Sequence, residues 1–251
     1  MSEGPEANDN GDDGAKVALV TGGARRLGSA LARELSRLGY RLVINYLSSA
    51  SEASALVHEL EESGGSARAV RADVGSAEDV EAMLNSIRGQ EGRLDLLVNN
   101  VGIYEPGPVE HLTVDSWDRC IQANLSGAFY CCHSSKGLLR ASRGQVINIG
   151  YAGVESLGSH PLAMAYQVSK TGLLVLTRSL AVALAPEVRV NMISPGQLEN
   201  SIDLPADIES AIPLGRAGTE QDIAGALRYL LGASYVTGVN IDVAGGYRLG
   251  S

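Results

Sequence analysis

From residue 17 onward, short β-branched or apolar runs alternate with longer segments of helical periodicity, and few folds accommodate that pattern. The runs lie at 17–21, 41–46, 67–72, 94–99, 145–149, 188–193 and 238–243. Between them, helical patterns cover 27–38, 50–63, 76–88, 113–139, 163–185 and 219–231. A strand apolar along its whole length, such as Val17-Ala18-Leu19-Val20, needs cover on both faces, and helices between successive parallel strands supply it. The expected fold class is α/β, a doubly wound parallel sheet of seven strands flanked by helices on both faces. Ligands bind such sheets at the carboxyl ends of the strands, so the loops after Thr21, Tyr46, Ala72, Asn99, Ile149 and Ile193 are expected to line a site.

With 251 residues, 45% of them hydrophobic, the chain can bury one such core and is short for two, so a single domain is expected over 16–251. Residues 1–15 carry Glu3, Glu6, Asp9, Asp12 and Asp13 with little to bury, which predicts a disordered acidic tail that aids solubility. No run approaches the roughly 18 apolar residues that span a bilayer, and no signal peptide opens the chain, so a cytoplasmic protein with no membrane partner is expected. The net charge of −9 argues against nucleic acid as a partner. Cys120, Cys131 and Cys132 form no Cys-x-x-Cys pair, and His58, His111, His133 and His160 show no ligand spacing. Free thiols and no metal are expected, with His160 the one histidine placed to touch a substrate.

The first strand runs into Thr21-Gly22-Gly23-Ala24-Arg25-Arg26-Leu27-Gly28. Glycines there let the backbone bend tightly and approach a pyrophosphate at a helix N-terminus. Gly22 and Gly28 fill two of the expected places, while Arg26 stands where a dinucleotide turn often has its middle glycine. Arg25 and Arg26 are either solvated charges or cations that reach a phosphate or adenosine. At the end of the second strand, Asn45-Tyr46-Leu47-Ser48-Ser49 offers hydroxyls and no carboxylate before Glu52. An acid there would bind the ribose 2′-hydroxyl of NAD, and its absence favours the 2′-phosphate of NADP(H). Downstream, Tyr166-Gln167-Val168-Ser169-Lys170 sets a phenol and an ammonium one helical turn apart on the same face, where the cation favours the phenolate and the phenol can exchange a proton near neutral pH.

These motifs together resemble the short-chain dehydrogenase/reductase family, from Lys16 to Leu249. The resemblance implies a Rossmann-type domain and a small-molecule oxidoreductase. Asp73-Val74 is similar to the family's adenine contact and Asn100-Val101-Gly102, after Asn99, to its Asn-Asn-Ala-Gly element. The resemblance makes Asn124 the support of a water relay, Tyr166 the proton donor, and Lys170 the residue that holds the nicotinamide ribose and lowers the phenol's pKa. Pro195 and Gly196 match the loop that packs on the nicotinamide. The family's substrate-binding serine is missing: Tyr151 stands in its place, either as a hydrogen-bond donor or as a wall, with Ser156 and Ser159 as other candidates. The loop from Tyr151 to Tyr166 is also longer than is usual in the family.

Among the branches, the chain most resembles the pteridine reductases, with the Arg25-Arg26-Leu27-Gly28 turn and with Tyr104 where an aromatic residue would sandwich a pterin. That resemblance implies reduction of a pterin or folate C=N bond. The alternatives are an NADPH-dependent carbonyl reductase for a 3-oxoacyl thioester or small ketone, and an NADP-binding sensor or scaffold that has lost turnover. Family resemblance also implies a homotetramer built on the helices at 113–139 and 163–185.

Overall fold

The computed structural model describes residues 14–202, 204 and 206–247. The acidic segment expected over 1–15 thus lies, through residue 13, outside the described residues, as do residues 248–251. The strands are β1 (Val17–Val20), β2 (Arg41–Tyr46), β3 (Ala67–Arg71), β4 (Leu96–Asn99), β5 (Gln145–Ile149), β6 (Arg189–Pro195) and β7 (Asn240–Val243). The helices are α1 (Arg26–Arg37), α2 (Ala50–Glu62), α3 (Ala77–Gln90), α4 (Val114–Ile121), α5 (Gly127–Ser142), α6 (Met164–Ala183), the short α7 (Ile208–Ala211) and α8 (Glu220–Gly232). All seven strands form one parallel sheet in the order β3-β2-β1-β4-β5-β6-β7. The chain reverses its direction of travel across the sheet between β1 and β4, which opens a crevice at their carboxyl ends.

Period-two alternation along the strands divides the core. Val17 and Leu19 pack with Met83, Leu84 and Ile87 of α3 and Leu139 of α5 on one face. Ala18 and Val20 pack with Leu31 and Leu35 of α1, Leu56 and Leu60 of α2, and Leu227 and Leu230 of α8 on the other. Each fully buried Val, Leu, Ile or Met contributes about 1.5–3 kcal/mol relative to exposure, so a full apolar layer on either face holds the sheet between the helices. No helix among the described residues is long and apolar enough to cross a membrane.

The helical pattern at 113–139 is not one α-helix. A π turn over Gln122–Ser126 separates α4 from α5. At its end Gly127 lies so close to β3's following loop that a Cβ would sit 2.9 Å from the carbonyl oxygen of Val74. The extra residue in the π turn rotates Asn124 inward, a device common at functional sites. Periodicity alone does not reveal it, because the apolar face continues on either side.

The turn after β1 is built as the glycine spacing requires, with one exception. Gly22 has a positive φ of 58°, and a Cβ on Gly28 would lie 2.4 Å from the oxygen of Gly22. Arg26 adopts a φ of 48°, the left-handed region that costs a non-glycine residue roughly 1–2 kcal/mol. A glycine would relieve that strain but add flexibility to the unfolded chain. Arg26→Gly is therefore expected to raise stability by about 0.5–1 kcal/mol, measured by urea unfolding of the purified protein.

Candidate active site

The crevice holds two cavities on either side of the turn after β1. The first, ≈ 490 Å³, lies at the ends of β1, β2 and β3 and is bounded by Gly22, Arg25, Tyr46, Ser48, Ser49 and Asp73, with Val74 and Val101 beside them. Ser49 caps the N-terminus of α2, yet its side chain makes no capping hydrogen bond. The hydroxyl and the helix N-terminus are thus both available to an anion. Arg25 approaches Glu52 at 3.7 Å, and both side chains are largely exposed, so this ion pair holds the guanidinium only weakly. Glu52 is drawn below the usual carboxylate range first by the Ser51 hydroxyl and less by Arg25. The set suits the phosphorylated ribose of a dinucleotide, and the cavity has room for its adenosine.

Asn45 and Asn100, expected to contact the cofactor, are engaged in holding the turn. Asn45 accepts the Gly22 N–H through Oδ1 at 3.2 Å and donates to the carbonyl of Ala72 at 3.0 Å. Asn100 donates to the carbonyls of Thr21 and Gly22, both at 3.1 Å. Asp73 is likewise occupied in part, accepting the N–H of Gly75 at 2.8 Å.

The second cavity, ≈ 280 Å³, collects residues from distant parts of the chain: Arg26 and Leu27, Gly102 and Tyr104, Tyr151, Tyr166 and Lys170, and Pro195 with Gly196. Lys170 is only 2% exposed. Its Nζ donates to the carbonyl of Ile149 at 2.7 Å and lies 5.9 Å from the centre of the Tyr166 ring. Burial pushes its pKa down from the ordinary 10.5 to about 8. A Cβ on Gly102 would come to 3.4 Å from this Nζ, so the small residue leaves room at the ammonium. Tyr166 is flanked by two further phenols: Tyr104 stands edge-on at 5.0 Å between ring centres, and Tyr151 is tilted at 5.7 Å.

Asn124 borders neither large cavity. Its Oδ1 accepts the N–H of Ile103 at 2.7 Å, and its Nδ2 donates to the Ile103 carbonyl at 3.0 Å and to Ser169 Oγ at 3.1 Å. In this arrangement it ties the loop following Gly102 to the helix that carries Tyr166 and Lys170. Ser156 and Ser159 also lie away from the phenols, in a groove of ≈ 780 Å³. That groove shares Tyr151, His160 and Tyr247 with the second cavity, so the two adjoin at these side chains.

Several wall residues were not anticipated: Arg119 and Gln122 on the adenosine side, Gln197, Ile202 and Tyr247 on the other. Tyr247 had a readable cue, since Gly245 and Gly246 (φ of 60° and 88°) turn the chain at the carboxyl end of the last strand. Arg119 reaches the cavity from the last turn of α4 and Gln122 from the start of the π turn. All three cysteines are free and buried, and burial raises their thiols, that of Cys132 to about 12. Among the described residues no cluster of His, Cys, Asp or Glu could hold a metal.

A family model described as enoyl-(acyl carrier protein) reductase matches residues 22–248. The 3-oxoacyl-[acyl-carrier-protein] reductase of Synechocystis sp. is 35% identical over 240 residues, covering 92% of this chain and 96% of the relative. The 3beta-hydroxysteroid dehydrogenase 1 of Eggerthella lenta is 36% identical over 247 residues, covering 93% and 94%. Among solved structures, a blue fluorescent protein from a metagenomic library in complex with NADPH superposes with a TM-score of 0.84 at 34% identity, over 96% of this chain and all of that one (100%). A putative short-chain alcohol dehydrogenase from Sinorhizobium meliloti gives 0.85 at 31% identity, over 92% and 96%.

Lys170 carries a measurable cost of burial. Its folded pKa is depressed, so between about pH 8 and 10.5 the unfolded chain binds a proton that the folded chain does not, and this group's contribution to stability rises with pH across that window. Below about pH 8 the ammonium is buried charged and the contribution is at its lowest. Lys170→Met is expected to stabilise the protein at pH 7 by about 1 kcal/mol or more and to flatten the rise, as read from denaturant titrations at pH 7 and pH 10.

Proposed function

The chain belongs to the short-chain dehydrogenase/reductase family, and on that premise we propose that it is an NADPH-dependent reductase of extended ketones, of which a 3-oxoacyl thioester is the representative substrate. The observation that carries this reading is the groove lined by Ser156 and Ser159 that adjoins the Tyr166 cavity at Tyr151, His160 and Tyr247, where a chain-bearing ketone would lay its arm. Relatives named for 3-oxoacyl and 3β-hydroxysteroid chemistry support it. Ser48, Ser49 and Arg25, with no carboxylate between β2 and Glu52, favour the phosphorylated cofactor.

When bound, NADPH supplies a hydride to the carbonyl carbon. Tyr166 gives its hydroxyl proton to the oxygen as charge develops there, and Lys170 stabilises the resulting phenolate from the same helix face. Lys170 and Gly102 hold the ribose side, Pro195 and Gly196 the ring side, and Asn124 keeps Ile103 and Ser169 in register. With Asn124, Tyr166 and Lys170 all in place, the reading of a scaffold without turnover finds no support. Val168, Val175 and Val182, spaced by seven on α6 and each 45% or more exposed, together with Phe129 on α5, support a homotetramer assembled through these helices.

NADPH oxidation with an acetoacetyl thioester, dihydrobiopterin and dihydrofolate in parallel tests the reading. The thioester is expected to turn over, NADH to serve poorly, and Tyr166→Phe to lower kcat by about 10²- to 10⁴-fold while NADPH affinity survives. Equal fluorescence titrations for NADPH and NADH, or no thioester turnover, would overturn it.

Reduction of a pterin or folate rests on one specific feature, the Tyr104 ring on the cavity wall beside Tyr166. If that ring is a pterin platform, Tyr104→Ala should raise KM for dihydrobiopterin by a factor equivalent to about 1 kcal/mol, and Tyr104→Phe should change little. A small ketone is expected to be indifferent to both.

A further inference from the structure

We propose that Tyr151 is the hydrogen-bond donor to the substrate's carbonyl oxygen, in the role that the absent serine leaves open; this rests on the ketone-reductase reading above. Three observations place it there. Its backbone is pinned at both neighbours, with Gly150 N–H donating to Ile193 at 2.8 Å and Ala152 N–H to Pro195 at 2.8 Å. Gly150 cannot yield space for a shift, because a Cβ there would lie 2.4 Å from Ser194 Oγ and 2.5 Å from Met192 Cε. The ring, half-buried, packs against the cluster of Ala128, Val154, Leu173, Leu174 and Met192, which limits its motion.

The hydroxyl is also available. Among the described residues it has no hydrogen-bond partner, while the ring stands 5.7 Å from that of Tyr166 on the wall of the same cavity. The competing hydroxyls are elsewhere: Ser156 donates to the carbonyl of Gly153 at 2.7 Å and, like Ser159, borders only the outer groove. A phenol is more acidic than an aliphatic alcohol and donates a stronger hydrogen bond to an oxygen gaining negative charge. Tyr151 therefore polarises the carbonyl without giving up its proton, and Tyr166 transfers one. Because the ring also forms the boundary with the outer groove, the same residue sets how a substrate's arm leaves the site.

The test compares Tyr151→Phe, Tyr151→Ser and Ser156→Ala in NADPH oxidation with an acetoacetyl thioester and with ethyl acetoacetate, alongside NADPH binding by fluorescence titration. Tyr151→Phe is expected to lower kcat about 10²-fold or more with NADPH affinity unchanged and, when kcat is followed against pH, with the fall at high pH (the basic limb) where it lies in the parent. Tyr151→Ser restores a hydroxyl and should recover to within about tenfold of the parent rate. Ser156→Ala, on the groove that takes the substrate's arm, should act on KM for the thioester and not reproduce the kcat loss of Tyr151→Phe. A Tyr151→Phe rate within threefold of the parent, or a serine variant as slow as the phenylalanine one, overturns the role. Loss of the basic limb in Tyr151→Phe would instead make Tyr151 the acid and also overturns it. If the parent reduces neither ketone, the ketone reading itself fails and this role falls with it.

Discussion

The hydrogen bonds that join β1 to β4 just beyond their last paired residues govern the whole crevice. Thr21 Oγ1 donates to the Val98 carbonyl at 3.3 Å and accepts the Asn100 N–H at 3.0 Å, while the Asn100 amide holds the carbonyls of Thr21 and Gly22. From the other side Asn45 accepts the Gly22 N–H. The chain leads away to either side of this point, so the clamp adds side-chain anchors to the backbone bonds from Thr21 N–H to Val98 and from Gly23 N–H to Asn45 where the regular ladder ends. With it, the helix α1 N-terminus is aimed into the crevice, and the cavities for the two ends of a dinucleotide lie to its left and right.

Asn45 and Asn100 line the two cavities and at the same time hold the turn through their side-chain amides, beside groups with weaker attachments. Ser49 makes no cap bond and Arg25 has only a loose, exposed ion pair. Rigid groups set the frame and lightly held ones face the ligand. Arg26 extends the pattern to the backbone, since its left-handed φ is a strain that a glycine at the same place would not carry.

On the substrate side, burial and charge are set against each other. Lys170 is drawn out of water far enough to weaken its hold on a proton, yet the Ile149 carbonyl and the face of Tyr166 give the ammonium partners. Asn124, turned inward by the π turn, fixes the segment on the opposite side through Ile103. Four tyrosines, Tyr104, Tyr151, Tyr166 and Tyr247, then line one small cavity. Tyr104 and Tyr151 both pack beside the Tyr166 ring, so Tyr151, at the place of the missing serine, brings a hydroxyl-bearing side chain to the same wall.

Strand identity, the parallel sheet and the positions of Gly22, Gly28, Tyr166 and Lys170 were legible in the amino-acid order, because period-two and 3.6-residue patterns and glycine-dependent turns are local properties. Local pattern does not distinguish a continuous helix from one interrupted by a π turn, so the break at Gln122–Ser126, followed by the close approach of Gly127 to Val74, and the presence of Arg119 and Gln122 at the adenosine cavity are visible only in the tertiary structure. The same limit applies to hydrogen-bond partners. Asn45 and Asn100 have the chemistry of cofactor ligands, and only the approach of β2 and β4 to Gly22 assigns their amides to the protein's own backbone. The sequence alone determined which residue types are present at the strand ends; which of Tyr151, Ser156 and Ser159 shares a cavity with Tyr166 was decided by the tertiary structure, because side chains far apart in sequence meet only where the sheet and its covering loops bring them together.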